Sequence, residues 1–175
     1  MKRILTALFG LVLSVALVFA FTGCQKQNEP LSPYDSAPKE YRDIIDTLPA
    51  GSAYALVDMG GNREALVVTK EAFEFEGDLE AAKAEVYAFT KDGDVKKYGK
   101  LESSTTSMPL IQYKDAVYFG THTSLGKAKL NENKGKLFIT EAETDQTATE
   151  DNETYDALLE EYAEGDIIVF NGIEK

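Results

Sequence analysis

The chain is 175 residues long and carries 18 basic against 30 acidic side chains, a net charge of −12 with its one histidine neutral. Such a surface repels phosphate backbones and anionic headgroups, which argues against nucleic acid and against electrostatic docking on a membrane. Cys24 is the single cysteine, so no intramolecular disulfide forms and the residues after it contain neither a cysteine-based zinc site nor a Cys–His nucleophile.

The N-terminus reads Met1-Lys2-Arg3, then runs from Ile4 to Phe21 without a charge, then ends in Thr22-Gly23-Cys24. A short basic start, an apolar stretch and small residues before a processing point predict a secretory signal over residues 1–23. The rival is an uncleaved anchor, because an apolar run of 18 residues sits at the lower edge of a spanning length. The segment Phe21-Thr22-Gly23-Cys24 resembles the lipobox of bacterial lipoproteins, with Thr22 and Gly23 matching and Phe21 standing where leucine is usual. The resemblance implies cleavage before Cys24 and a diacylglycerol on its sulfur. The chain is then held to the extracytoplasmic face of a cell membrane by lipid. Two or more acyl chains of the palmitate type hold firmly where one does not, since each buried methylene contributes about 0.8 kcal/mol.

Removal of the leader takes two basic residues with it and leaves 16 basic against 30 acidic side chains, a net charge of −14. Residues 24–37 are polar and contain Pro30 and Pro33, which suits a lipid-anchored spacer. The single globular domain is expected over 38–175. Pro38 opens a helix in which Tyr41, Ile44, Ile45 and Leu48 fall on one face, and Pro49 and Gly51 stop it.

From Ala53 the period changes to that of strands. Ala53 to Met59 and Ala65 to Thr69 flank Gly60-Gly61-Asn62, a hairpin signal. Phe73 and Phe75 alternate with glutamates and suit an edge strand. Ala84 to Thr90 and Val95 to Leu101 flank Asp92-Gly93, whose residues tolerate the positive φ a tight turn needs. Leu110 to Tyr113 and Ala116 to Thr121 form a third hairpin, and Leu125 to Leu130 with Lys136 to Glu143 a fourth. A second helix is expected near Glu153 to Glu164, with Tyr155, Leu158, Leu159 and Tyr162 as its apolar stripe; Asp166 to Phe170 reads as a closing strand. These elements predict an α+β domain in which an antiparallel meander of roughly eight to ten short strands is covered by two amphipathic helices.

The loop Asp58-Met59-Gly60-Gly61-Asn62-Arg63-Glu64 resembles the D-x-[DN]-G-D-G calcium loops of secreted bacterial proteins. Gly60 stands where an oxygen ligand belongs and Arg63 adds a positive charge, so a metal-free turn is expected and no metal or other cofactor is assigned. His122 is the sole histidine. If Lys114 and Asp115 form a turn, paired positions sum to 229, and extending that ladder sets Ser107 opposite His122 and Thr106 opposite Thr123. Ser107, Thr121, His122, Thr123 and Ser124 would then cluster as a ligand site for a glycan, peptide or protein partner. A hydrolase using His122 with a nearby serine or threonine, or a carboxylate pair, is the alternative, although no G-x-S-x-G elbow is present. The expected function is non-enzymatic: a lipid-anchored extracytoplasmic binding or interaction module. The whole resembles the small surface lipoproteins of Gram-positive bacteria, on the first 24 positions and the Asp58 loop.

Overall fold

The first two strands are apolar at nearly every position, which lets them be buried on both faces. The computed structural model describes residues 31–103, 107–144 and 152–174; the leader, Cys24 and the first half of the proposed spacer lie outside them. Ser32 caps a helical turn, α1 (Pro33–Ser36), through its Oγ, which accepts from the Asp35 N–H at 3.1 Å. Ala37 after it is buried, and Tyr34 is partly buried against the same cluster. Helix α2 (Lys39–Ile45) follows.

The strands are β1 (Ala53–Val57), β2 (Ala65–Thr69), β3 (Ala72–Phe75), β4 (Asp78–Ala81), β5 (Lys83–Phe89) and β6 (Val95–Glu102). Then come β7 (Ile111–Tyr113), β8 (Ala116–Gly120), β9 (Ser124–Asn131), β10 (Lys136–Glu143), helix α3 (Glu153–Ala163), β11 (Asp166–Ile167) and β12 (Asn171–Gly172). All described pairings are antiparallel. The four expected hairpins form, and the edge strand at Phe73 is β3, paired with β4.

The expectation of one meander under two helices is corrected. The strands divide into a five-stranded sheet in the order β12-β1-β2-β5-β6, a second in the order β10-β9-β8-β7-β11, and the separate pair β3-β4. The two large sheets share one core: Ala53, Val57, Val67 and Val86 come from the first, and Val117, Ala128 and Leu137 from the second. Sheet therefore covers sheet, as in a sandwich with side chains of both inner faces interdigitating. The C-terminal segment joins them, because β11 pairs with β7 while β12 pairs with β1.

Each longer helix lies on an outer face. Tyr41, Ile45 and Leu48 pack with Tyr54, Leu66 and Val68 of the first sheet. Leu158 packs with Tyr118 and Leu125 of the second. The docking of α3 is fixed by hydroxyls: Tyr118 donates to Glu161 at 2.8 Å, Tyr113 to Glu164 at 2.6 Å and Tyr162 to the Pro109 carbonyl at 2.9 Å. Lys127 closes the first of these contacts with an ion pair to Glu161 at 2.8 Å, and its ammonium holds the Glu161 carboxyl below the usual range. Burial pushes the Tyr162 hydroxyl up to about 12, so it stays a donor at any physiological pH.

One buried carboxylate works against the fold. Glu80 on β4 is 5% exposed, and loss of solvent raises its pKa first, with Asp78 and Glu76 adding to it. A carboxyl whose folded pKa lies above its unfolded value weakens the fold when ionised, and that cost disappears as pH falls through the raised pKa. Glu80→Gln is thus expected to melt above the parent chain at pH 7, and the gap should close near pH 4. A constant gap across that range, read by thermal unfolding, assigns the effect to packing and not to charge.

Candidate functional site

Helix α2 has seven residues, too few to cover the outer face of a five-stranded sheet. Its hydroxyl anchor and aromatic contacts hold it over β1, β2 and the far end of β5. Tyr41 donates to the Glu64 carbonyl at 2.9 Å, and its ring meets Phe89 at 5.1 Å. Arg63 also lies over the Phe89 ring, 4.5 Å from its centre. The remaining outer face, over β2, β5 and β6, is left open as a groove of about 390 Å³ beside Ile44, Leu48 and Pro49.

Register places its charged side chains. Val68 pairs with Glu85 on β5, and Glu85 pairs with Lys100 on β6; Lys83 pairs with Glu102. Residues directly opposite in an antiparallel pair share a face. Lys83 bonds Glu102 at 2.9 Å and Lys97 bonds Glu85 at 2.6 Å. Tyr87 also donates to Glu85, at 2.8 Å. The Lys97 ammonium, aided by that hydroxyl, holds the Glu85 carboxyl below the usual range. Burial, with the neighbouring carboxylate, pushes Tyr87 up to about 12. Among the described residues no ion pair engages Lys70 or Lys100, which also line the groove. An apolar floor formed by Val68 and the Tyr87 ring thus lies in the same groove as two lysines that act on Glu85 and Glu102 only through space.

Glu85 and Glu102 are each tied to lysine, and the Tyr87 hydroxyl stays protonated, so none of the three is poised as a general base. Among the described residues no cluster of three or more His, Cys, Asp or Glu could hold a metal ion.

The serine- and threonine-rich set read from the sequence is only partly brought together. The β7–β8 ladder has the expected register, with Tyr113 opposite Ala116, but its last pair is Ile111 with Tyr118. Pro109 has no N–H to extend it, and the Leu110 N–H turns to the Ala81 carbonyl at 2.9 Å. Ser107 consequently does not face His122 across a ladder, which corrects that placement. Thr106 lies outside the described residues.

Thr121, His122, Thr123 and Ser124 instead form the tight connection between β8 and β9. The Thr121 N–H donates to the Ser124 carbonyl at 2.7 Å, and Thr121 Oγ1 accepts from the Thr123 and Ser124 N–H groups at 3.1 and 3.0 Å. The Thr121 hydroxyl is committed to shaping this turn, and the His122 side chain is exposed. Ser103 has the structural role that the register argument missed: it is fully buried, and its Oγ accepts from the Gly120 N–H at 2.9 Å.

The Asp58 loop is closed upon itself and its neighbour. Asp58 Oδ1 accepts from the Gly60 N–H at 2.9 Å, and Glu132 accepts from both the Asn62 N–H and side-chain amide at 2.8 Å. These contacts make the loop a clasp onto the β9–β10 hairpin.

The fold and groove together describe an antiparallel β-sandwich with a charged, apolar-floored recess on one outer face. No family model, no curated protein and no solved structure matches the chain. Among the described residues no helix is long and apolar enough to cross a membrane.

Proposed function

We propose that this chain is a lipid-anchored extracytoplasmic binding module, exported by residues 1–23, tethered through Cys24, and using the groove over β2, β5 and β6 as its ligand seat. The observation that carries the ligand seat is the pair Lys70 and Lys100 beside an apolar floor, in a chain whose net charge is −12. These two lysines outnumber Glu71, the one lining carboxylate that no ion pair engages among the described residues, and draw an anionic group to that place on an otherwise acidic surface. The ligand chemistry that suits it is a short acidic peptide or an acidic glycan with an apolar face.

Mass spectrometry of the mature chain tests the tether: a diacylglycerol thioether on Cys24 is expected, and Cys24→Ala should leave the chain unacylated with its leader uncleaved. A free thiol on Cys24, or a start elsewhere, removes the anchor from the account. Thermal unfolding of the full chain tests the seat. An acidic ligand at a hundred times its Kd should add about 2.7 kcal/mol of stability. Lys70→Glu with Lys100→Glu should abolish that gain while the unliganded melting temperature is unchanged. A gain that survives both substitutions places the ligand elsewhere.

A further inference from the structure

Four strands end the two large sheets, and three of them have features that discourage another strand from joining. β11 and β12 are two residues long. β6 has a register shift opposite Val86 and Tyr87 and presents Lys96, Lys97 and Lys100. Short length, bulges and lysines are the usual protections of a sheet edge, whose unpaired N–H and C=O groups are otherwise a template for further pairing.

β10 lacks them. It is eight residues long, contains no proline, and keeps an unbroken register with β9 from Lys136 opposite Asn131 to Glu143 opposite Ser124. Phe138 and Ile139 are 60% and 41% exposed, and as successive strand residues they stand on opposite faces. β6 meets β10 at Leu137, whose side chain lies over Gly99; Phe138 to Glu143 follow that contact. On the outer face, Phe138 and Thr140 border a groove of about 490 Å³ whose far wall is α3, through Ala157 and Leu158.

The charge around this edge has a definite sign. Lys127 and Lys129 are already engaged, by Glu161 at 2.8 Å and Asp115 at 2.6 Å. Among the described residues no ion pair engages Glu141, Glu143 or Glu153. Helix α3 contributes Glu153, Asp156, Glu160 and Glu161 and no basic residue.

We propose that β10 takes up an extended, cationic segment of a partner protein as an added antiparallel strand. The Glu143 carbonyl already accepts from the Asn152 side chain at 2.7 Å, so main-chain hydrogen bonds to the outward groups of Ile139 and Glu141 supply the affinity, and alternate apolar side chains beside Phe138 supply the selectivity. Lysines or arginines in the same segment meet Glu141, Glu143 and the acidic helix. A second copy is disfavoured as occupant, because each brings a net charge of −12 to the contact.

Hydrogen exchange of the full chain with a ten-residue peptide of alternating lysine and valine tests the proposal. Saturable binding is expected, with the outward amides of Ile139 and Glu141 slowed about tenfold or more. Phe138→Asp and Ile139→Lys should each weaken binding about tenfold and keep the parent melting temperature within a few degrees. Replacing every valine of the peptide by proline should abolish binding. Lys70→Glu with Lys100→Glu should leave it intact, which separates this edge from the groove on the other sheet. Three results overturn the proposal. One is no binding; another is binding that leaves β10 exchange unchanged, which is attraction to an acidic surface alone. The third is a dimer in sedimentation that Ile139→Lys dissociates, which puts a second copy on the edge. Should a variant lose its fold, exchange at β10 of the parent chain decides.

Discussion

Tyr41→Ala is expected to lower the unfolding free energy by about 3–5 kcal/mol, the range for deleting a buried aromatic ring. Tyr41 is 1% exposed and is the centre of the contact between α2 and the first sheet, packed with Tyr54, Leu66 and Val68. Its removal leaves a void, withdraws the ring contact with Phe89, and strands the Glu64 carbonyl that accepts its hydroxyl. Burial pushes that hydroxyl up to about 12, so the contact is present at every pH at which the protein works. Tyr41→Phe separates the parts, because it keeps the ring and costs about 1 kcal/mol for the lost hydrogen bond. Urea unfolding of the two variants measures both. A loss under 1 kcal/mol for Tyr41→Ala means that α2 is not docked on the sheet, and the groove beside it loses its wall.

The second large effect concerns the inner face of the other sheet. Phe119 is paired with Gly126 across β8 and β9, and its ring fills the space where a side chain at 126 would begin. A Cβ on Gly126 would sit 2.4 Å from Phe119 Cζ, and Phe119 itself is only 8% exposed. The ring must therefore leave its position in the core, and Gly126→Ala is expected to cost about 1–3 kcal/mol by overpacking. Phe119→Ala alone should cost about 3–5 kcal/mol. In the double variant the clash is gone, so the two losses should fall short of additivity by about 1 kcal/mol or more. Additive losses in urea unfolding would show that the ring and residue 126 do not compete for one space.

The two variants also divide what could be read in advance from what could not. Tyr41 belongs to a stripe of four residues at helical spacing, and that stripe alone identifies it as the buried face of α2. Gly126 carries no such signal. Only pairing with Phe119 explains why glycine stands in the middle of a strand, and pairing is a property of two segments.

The candidate groove shows the same limit. Lys70 follows β2, Glu85 lies on β5 and Lys100 on β6, and the order β2-β5-β6 skips the β3-β4 hairpin. Sequence spacing alone does not reveal that skip. The expected pairing of Ser107 with His122 fails for a related reason. The register sum of 229 was sound as far as Ile111, but extending it assumed that the strand continued through Pro109. One available signal was missed. The runs AYALV, ALVVT and AVYFG are apolar without alternation, which marks strands covered on both sides. They pointed to a sandwich with helices outside it, not to one sheet with a wet face.

The sequence by itself determined the local elements: the hairpins with their turns, the two helical stripes and their stops, and the exclusion of disulfides and of a histidine-pair metal site. These follow from short-range rules, since turn residues, apolar period and residue counts act within a few positions. Tertiary structure alone decided the division into two sheets, the clasp of Asn62 on Glu132, the open groove and the unprotected β10 edge. Each depends on which strands are neighbours, and that choice is made by burying two inner faces against each other, a requirement that no single segment expresses.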